Sequence, residues 1–207
     1  MFRMKLLSLI LILATAICTP TSLLFADEGD DLYNLSLGLI RQERYKTATE
    51  TLEKLISQFP KHSKTEIGRF RLGLTYLTLK KYEESRKHLR VFAAGNKESQ
   101  NLPEAMYRIG FCSFQLQDMP ATAKELAAFH QQFPEHRYRE WSLAYLGYAH
   151  LQSGKAEAAL ASFDQSLKEY PKGAMREDSV YGQARSYEEL KQLDNAKIGR
   201  ASCRERV

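Results

Sequence analysis

Few residues of this chain have the side chains and the spacing that metal binding or catalysis would need. His130 and His136 flank the turn HQQFPEH, and Glu135 precedes the second histidine. Imidazole nitrogens and carboxylate oxygens are ordinary zinc ligands. The two histidines are separated by a predicted helix end and a loop, so their side chains do not share one helix face. We therefore predict that no metal is bound here.

The positions of the cysteines also argue against disulfide or thiol chemistry. Of the three cysteines, Cys18 belongs to an apolar N-terminal stretch and Cys203 to the last ten residues, which leaves Cys112 alone in the body of the chain. A single cysteine excludes an intramolecular disulfide framework. Cys112 lies in YRIGFCSF beside Ile109 on a predicted helix, and free cysteines in apolar surroundings are usually buried and inert. We predict a small buried thiol.

Motifs for catalysis are not recognisable in the sequence. We find no paired carboxylates, no nucleophile with its base and no phosphate-binding glycine loop. The sequence therefore predicts a protein that is not an enzyme and that has no cofactor. The most regular feature of the sequence is instead a pattern of small, aliphatic and aromatic residues. The helices that carry this pattern determine which surface these residues form.

The stretch from Ser142 to Pro171 contains one complete unit of this pattern. Leu146 and the neighbouring Gly147 fall on one side of a first helix, helix A, and Gly154 allows a turn. Phe163 then marks the buried side of a second helix, helix B, which the proline ends. The sequence therefore predicts a helical hairpin.

The same unit recurs with a period of 37 residues. Pro60, Pro134 and Pro171 are separated by one or two such periods. Units then begin near Gly29, Glu66, Pro103, Glu140 and Glu177. The small position of helix A contains Ser36, Gly73, Gly110, Gly147 and Ala184, and that of helix B contains Ala48, Ser85, Thr122, Ala159 and Ala196. The large positions are Leu35, Leu72, Ile109 and Leu146 in helix A, and Leu52, Leu89, Leu126 and Phe163 in helix B.

This order of small and large positions resembles the tetratricopeptide repeat. Two antiparallel helices approach closely where one offers a small side chain, and a large neighbour fills the flanking space. The resemblance implies an all-α fold, a right-handed α-solenoid of antiparallel helix pairs. Residues 27–197 would form it, as four full repeats and a truncated fifth.

The resemblance also implies a binding surface, because the family builds the inner side of its superhelix from helix A residues a turn apart. Carried onto this chain, those places hold Tyr33, Leu37, Phe70, Leu74, Tyr107, Phe111, Phe114, Trp141, Tyr148 and Tyr181. We expect about half of them to pack mainly in the core, and Tyr107, Trp141 and Tyr148 to be the most exposed. The partner-binding candidates are Tyr33, Phe70, Tyr107, Phe111, Trp141, Tyr148 and Tyr181. Aromatic rings with polar handles suit a protein or peptide ligand. The basic carboxylate clamps of some family members are not evident, since these places are apolar.

The second unit departs from the pattern where it ends. Lys97 replaces the closing proline in the connection AAGNKESQNLP. Gly95 and Asn96 are expected to end the helix in a left-handed conformation. We predict that this connection is the most flexible point of the array.

The N-terminus reads as a secretory signal peptide over residues 1–26. Arg3 and Lys5 precede the apolar run LLSLILILATAIC, which is shorter than the ~20 residues of a spanning helix. We expect cleavage after Ala26. Lipidation of Cys18 is an alternative, although Ile17 stands where a lipobox has a small residue.

The last ten residues, IGRASCRERV, carry no periodicity and resemble a translated sequencing adapter. We therefore interpret 198–207 as adapter-derived. The net charge of +5 also comes largely from the two ends of the chain, since residues 27–197 contain 25 basic and 24 acidic residues. A nucleic-acid ligand is accordingly not expected.

The sequence thus predicts an exported scaffold that binds a protein in the cell envelope through an aromatic-rich concave groove. It resembles exported bacterial envelope members of the family, such as the Tol-Pal-associated repeat protein and the repeat lipoproteins of outer-membrane assembly. Two alternatives are the repeat arm of a larger, truncated enzyme and a lipid-anchored assembly factor, for which the membrane contact would be the lipid. The oligomeric state is not predicted.

Overall fold

A computed structural model describes residues 27–196, and this range is helical with short connections. The predicted signal peptide, the segment interpreted as adapter-derived and Lys197 lie outside the described residues. The helices in chain order are α1 (Glu28–Arg41), α2 (Tyr45–Gln58), α3 (Thr65–Thr78), α4 (Tyr82–Gly95), α5 (Leu102–Gln115), α6 (Met119–Gln132), α7 (Arg139–Gln152), α8 (Ala156–Glu169) and α9 (Arg176–Glu189). Residues 193–196 are again helical, one period after the start of α8.

The spacing of the helices confirms the 37-residue period. Each of these helices has 14 residues, and equivalent helices begin 37 residues apart. Three residues join helix A to helix B within a unit, and six residues join one unit to the next. The connection after α4 has the same length as the others.

The turn from helix A to helix B uses a left-handed residue in every unit. Glu43, Lys80, Gln117, Gly154 and Lys191 have φ of 58–71° and stand 37 residues apart. The turn predicted at Gly154 is confirmed. The other four residues are not glycine, and the left-handed region is unfavourable for their L side chains. The turn geometry is therefore imposed by the packing of the two helices and not by the residue type.

The left-handed helix end predicted at Gly95 and Asn96 is wrong. Asn96 has a φ of −126°. Its side-chain amide donates to the Phe92 carbonyl oxygen at 2.8 Å and to Glu66 Oε2 at 3.0 Å. Because the side chain satisfies one of the last carbonyls of α4, a left-handed residue is not needed there.

The predicted small positions form the contact between the two helices of each hairpin. All ten of these residues are buried. A Cβ atom built on Gly73 would lie 2.6 Å from Leu89, one on Gly110 would lie 2.3 Å from Leu126, and one on Gly147 would lie 2.6 Å from Phe163. The glycine of helix A thus receives the large residue of helix B in the same unit.

The large positions are buried as predicted, with one exception. Leu35 is 55% exposed, whereas its equivalents Leu72, Ile109 and Leu146 are buried. Leu72 packs in a cluster with Leu32, Leu52 and Leu55 of the preceding unit. In the described residues no unit precedes α1, so no helix of a preceding unit covers Leu35.

The helices form two layers. Each helix packs against the next one in the chain, and helices A also contact each other at three of the four junctions between units, α1 with α3, α5 with α7 and α7 with α9. Helices B of neighbouring units show no comparable contact within residues 27–196. The stack therefore curves toward the A helices, which line its inner face, and the B helices line its outer face. None of the described helices is long and apolar enough to cross a membrane.

Candidate protein-binding face

The centre of the inner face is a group of three aromatic side chains at the junction of α5 and α7. The Tyr145 ring lies 5.4 Å from the Phe111 ring and 4.9 Å from the Phe114 ring, measured between centroids. Tyr82, the first residue of α4, approaches Phe111 edge to face at 6.4 Å. We call Phe111, Phe114 and Tyr145 the aromatic cluster. Its three side chains are half-buried, so each ring keeps a solvent-facing part.

Two of the predicted binding residues are instead part of the core. Phe70 is 1% exposed and packs on Phe92 at 5.1 Å, and Tyr107 is 4% exposed. The expectation that Tyr107 is among the most exposed residues is wrong, because its ring stacks on Tyr138 at 4.5 Å and also contacts Phe129 of α6. Burial raises the pKa of the Tyr107 hydroxyl. Neither side chain can touch a partner without a rearrangement.

Four of the other predicted residues retain accessible surface. Trp141 is half-buried and meets the Tyr138 ring edge on at 6.3 Å. Tyr148 is also half-buried, and its hydroxyl donates to the Asp178 carbonyl oxygen at 2.8 Å, which ties α7 to α9. Tyr33 is half-buried and carries the Lys64 ammonium 5.9 Å above its ring. Tyr181 is 50% exposed.

The sequence prediction missed Tyr145. It occupies a column of helix A that holds Asn34, Arg71 and Arg108 in the preceding units, so the column reads as polar. Burial raises the pKa of the Tyr145 hydroxyl, in keeping with a ring set between two phenylalanines. The sequence did contain a signal for Tyr145. An aromatic residue in a column that is otherwise polar is not needed for core packing, so it indicates a role on the inner face.

The same column places two arginines on the inner side, which corrects the view that the inner positions are simply apolar. Arg108 is fully engaged: its guanidinium lies 5.0 Å from the Tyr138 ring and bonds Glu104 Oε1 at 3.3 Å. Arg71 differs, since its Nε is buried and has no hydrogen-bond partner among the described residues. A buried donor without a partner is unfavourable by about 1–3 kcal/mol.

Arg71 borders a small recess between α1 and α3. The recess has a volume of about 170 Å³. Its other lining residues are Leu37, Ile40, Tyr45, Leu74, Thr75 and Thr78. The recess combines apolar walls with a guanidinium that has no ion pair among the described residues and lies over the Phe70 ring, so it can accept a carboxylate that carries an apolar neighbour.

The two histidines considered above as metal ligands make structural contacts. His130 Nε2 donates to Ser142 Oγ at 2.6 Å, and Ser142 Oγ donates to the Arg139 carbonyl oxygen at 2.9 Å. Burial, together with the charge of Arg139, lowers the pKa of His130 to about 4. His136 instead packs on the rings of Phe129 and Tyr138.

Among the described residues, Asp27, Asp30 and His62 have side-chain atoms close enough to share a metal ion. His62 Nδ1 accepts a hydrogen bond from the Lys64 amide at 3.1 Å, so the proton of the neutral ring is on Nε2. Nε2 donates to Asp27 Oδ2 at 2.7 Å. Both ring nitrogens are thus used, and the contact fixes the start of α1 to the loop before α3.

The prediction for Cys112 is confirmed. Its thiol is buried and donates to Ser85 Oγ at 3.4 Å. Burial raises the pKa of the thiol, which disfavours the reactive thiolate.

Stacked helix hairpins with a curved inner face define a repeat protein of the α-solenoid class. Family models described as tetratricopeptide repeat match residues 32–62 and 104–136, residues 68–90 and residues 145–205, which together are more than half of the chain. The chain belongs to the tetratricopeptide repeat family.

Solved structures agree with this fold. The chain is similar to the crystal structure of MamA protein, with a TM-score of 0.73 and 16% identity over 86% of this chain and 90% of that one. A tetratricopeptide repeat protein from Parabacteroides merdae gives a TM-score of 0.70 and 15% identity, over 84% of this chain and 65% of that one. A Podosopora anserina protein with nearly identical TPR-like repeats gives a TM-score of 0.64 and 16% identity, over 85% of this chain and 92% of that one. A comparison with curated proteins gives no significant match.

Proposed function

We propose that this protein is an exported, non-enzymatic scaffold that binds a protein or peptide partner on the inner face of its solenoid, in the cell envelope. The observation that carries the binding role is the aromatic cluster, whose half-buried rings lie side by side on two successive A helices. Preformed aromatic surface of this kind contributes large contact area at little entropic cost.

The binding face that we propose differs in part from the sequence prediction. It keeps Tyr33, Phe111, Trp141, Tyr148 and Tyr181 and adds Phe114 and Tyr145, while Phe70 and Tyr107 support the face from the core. Arg71 supplies a positive charge that makes no ion pair with the described residues, although its guanidinium lies 5.9 Å from the centre of the Phe70 ring. The ligand that fits this combination is an extended or helical segment with apolar side chains and at least one carboxylate.

Export is supported by the N-terminal sequence alone. Arg3 and Lys5 followed by an apolar run match the n-region and h-region of a signal peptide. The test is mass spectrometry of the protein purified from its native cells. A mature chain that starts at Asp27 would support export, and a retained leader in the cytosol would contradict it.

The binding role can be tested without a known partner. A peptide-display library is selected on residues 27–196, and the affinity of the winning peptides is measured for variants. Phe111→Ala combined with Tyr145→Ala should weaken binding by about a hundredfold, since two central aromatic anchors are lost. Lys168→Ala on the exposed surface of α8 is the matched control and should leave affinity unchanged. Equal affinity for the double variant and wild type, with the helical circular dichroism retained, would contradict the proposal.

A further inference from the structure

A second surface lies on the outer side of the solenoid, in a groove between α4 and α6 with α5 as its floor. The cavity has a volume of about 290 Å³. Its apolar lining consists of Ala93 and Ala94 from α4, Met106 and Ile109 from α5, and Ala128 from α6. The groove belongs to the outer layer and is separate from the aromatic cluster.

The groove is open because the second unit has a small residue where the others have large ones. The column of Ala93 contains Ile56 in the first unit, His130 in the third and Leu167 in the fourth. His130 fills its site and bonds Ser142 of the following A helix. With alanine at position 93, no side chain of comparable size occupies the corresponding space between α4 and α5.

The rim of the groove is basic. Lys97 stands where the other units have their closing proline, and both Lys97 and Lys124 are exposed. Neither makes an ion pair or a hydrogen bond with any residue of the described range. Arg90 also lines the groove, but its Nε donates to Glu125 Oε1 at 3.0 Å, so these two charges compensate each other. Two lysine charges therefore remain at the groove, although residues 27–197 as a whole are nearly neutral.

We propose that this groove, here called the outer groove, binds an acidic segment of a second protein partner. One large apolar side chain of that segment would enter the cavity between Ala93 and Ala128, and flanking carboxylates would lie near Lys97 and Lys124. The volume is at the lower end of that of ligand cavities and suits one anchor side chain more than a whole small molecule. The charge complementarity selects acidic flanks. The two departures of the second unit from the repeat, the alanine and the lysine, thus serve one site.

The experiment uses fluorescein-labelled peptides and residues 27–196 of the protein, with fluorescence anisotropy as the readout. The probe EEELFEEE should bind, while KKKLFKKK and EEEAAEEE should each bind at least about tenfold more weakly, because each lacks one of the two required features. Affinity for the first probe should fall as the salt concentration rises.

Two variants locate the binding. Ala93→Ile installs the side chain that the first unit has in this column, so the helix should still form, and it should weaken binding by about tenfold or more by filling the cavity. Lys97→Glu combined with Lys124→Glu should weaken it at least as much. Lys168→Glu, a single charge reversal elsewhere on the outer layer, and Phe111→Ala on the inner face should leave the affinity unchanged.

Several results would overturn the proposal. One is an affinity for EEELFEEE that is unaffected by Ala93→Ile and by the lysine reversals. Another is binding of decanoate in the groove without any binding of the peptide, which would make the occupant an acyl chain. Self-association that Ala93→Ile abolishes, seen by sedimentation velocity, would assign the groove to a second copy of this chain. Phe111→Ala affects only the inner face. A negative result for the outer groove therefore does not contradict the proposal for the inner face.

Discussion

Gly147 of α7 lies directly under the ring of Phe163 in α8, and Gly182 of α9 lies on the same ring from the next unit. A Cβ atom would be 2.6 Å from the ring at Gly147 and 2.2 Å from it at Gly182. The ring is therefore held between two A helices and cannot move away from either. This contact joins one hairpin internally and joins it to its neighbour.

We predict that Gly147→Ala lowers the free energy of unfolding by about 1–3 kcal/mol, because the added methyl group overpacks a ring that has no room to shift. Gly38→Ala is the matched control. Gly38 also lies within an A helix, but a Cβ there meets no atom within 4 Å. It should raise stability by about 0.5–1 kcal/mol, since alanine is the better helix former. Urea denaturation measures both, and equal effects of the two substitutions would contradict this packing.

The left-handed turn residue that every unit shares predicts that glycine is preferred at this position. Gln117 has a φ of 60°. Gln117→Gly should increase the free energy of unfolding by up to about 1 kcal/mol by relieving the left-handed conformation. Gly154→Ala should decrease it by about 1 kcal/mol. Thermal melts followed by circular dichroism compare the two, and a stabilising effect of alanine at position 154 would show that the turn there is not left-handed.

The buried imidazole of His130 predicts acid sensitivity. Its pKa of about 4 in the folded protein is below the ordinary value of 6.5, so the fold prefers the neutral ring. The stabilisation is complete above pH 6.5 and is lost as the pH falls from 6.5 to about 4, by about 2–3 kcal/mol in total. His130→Leu, which installs the residue that the fourth unit has in this column, should reduce the loss of stability over this interval.

The measurement is the urea midpoint at several pH values, compared with wild type. The lowered pKa values of His88, His136 and His150 remain in the variant, so part of the acid sensitivity should persist. An unchanged difference between pH 6.5 and pH 4 would exclude His130 as a contributor.

The Nε atom of Arg71 is buried and has no hydrogen-bond partner among the described residues, so we predict that Arg71 contributes more to binding than to folding. Arg71→Met removes a buried donor without a partner in residues 27–196, so stability should be unchanged or rise by about 1 kcal/mol. Arg86 bonds Asp118 Oδ2 at 3.0 Å and Ser113 Oγ at 3.1 Å. Arg86→Met should therefore lower stability by about 1 kcal/mol. If the two substitutions destabilise equally in urea melts, Arg71 contributes to folding as much as Arg86 does, and the prediction is wrong.

The repeat pattern of the sequence was sufficient to predict the helix pairs, their period and the buried small positions, because each depends on contacts that every unit repeats. It was insufficient where a contact comes from outside the pattern. Tyr107 is covered by Tyr138, a loop residue whose equivalents are Lys64, Asn101 and Met175. Leu35 is exposed because burial in its column requires a preceding unit.

The candidate site was predicted only in part for the same reason. The aromatic cluster includes Tyr145, whose equivalents in the preceding units are polar, so the position was not predicted to be aromatic. The left-handed turns at Glu43, Lys80, Gln117 and Lys191 have no residue signal, since the packed helices and not the residue type determine them.

Site-specific photo-crosslinking can show whether a protein partner binds on the inner face. A photoreactive amino acid replaces Tyr145 in one version of the protein and Lys168, an exposed residue of α8, in another. After irradiation in the native cells, adducts are identified by mass spectrometry. We expect a defined protein adduct from position 145 that Phe111→Ala removes, and none from position 168. The same adduct from both positions, or from position 168 alone, would contradict it.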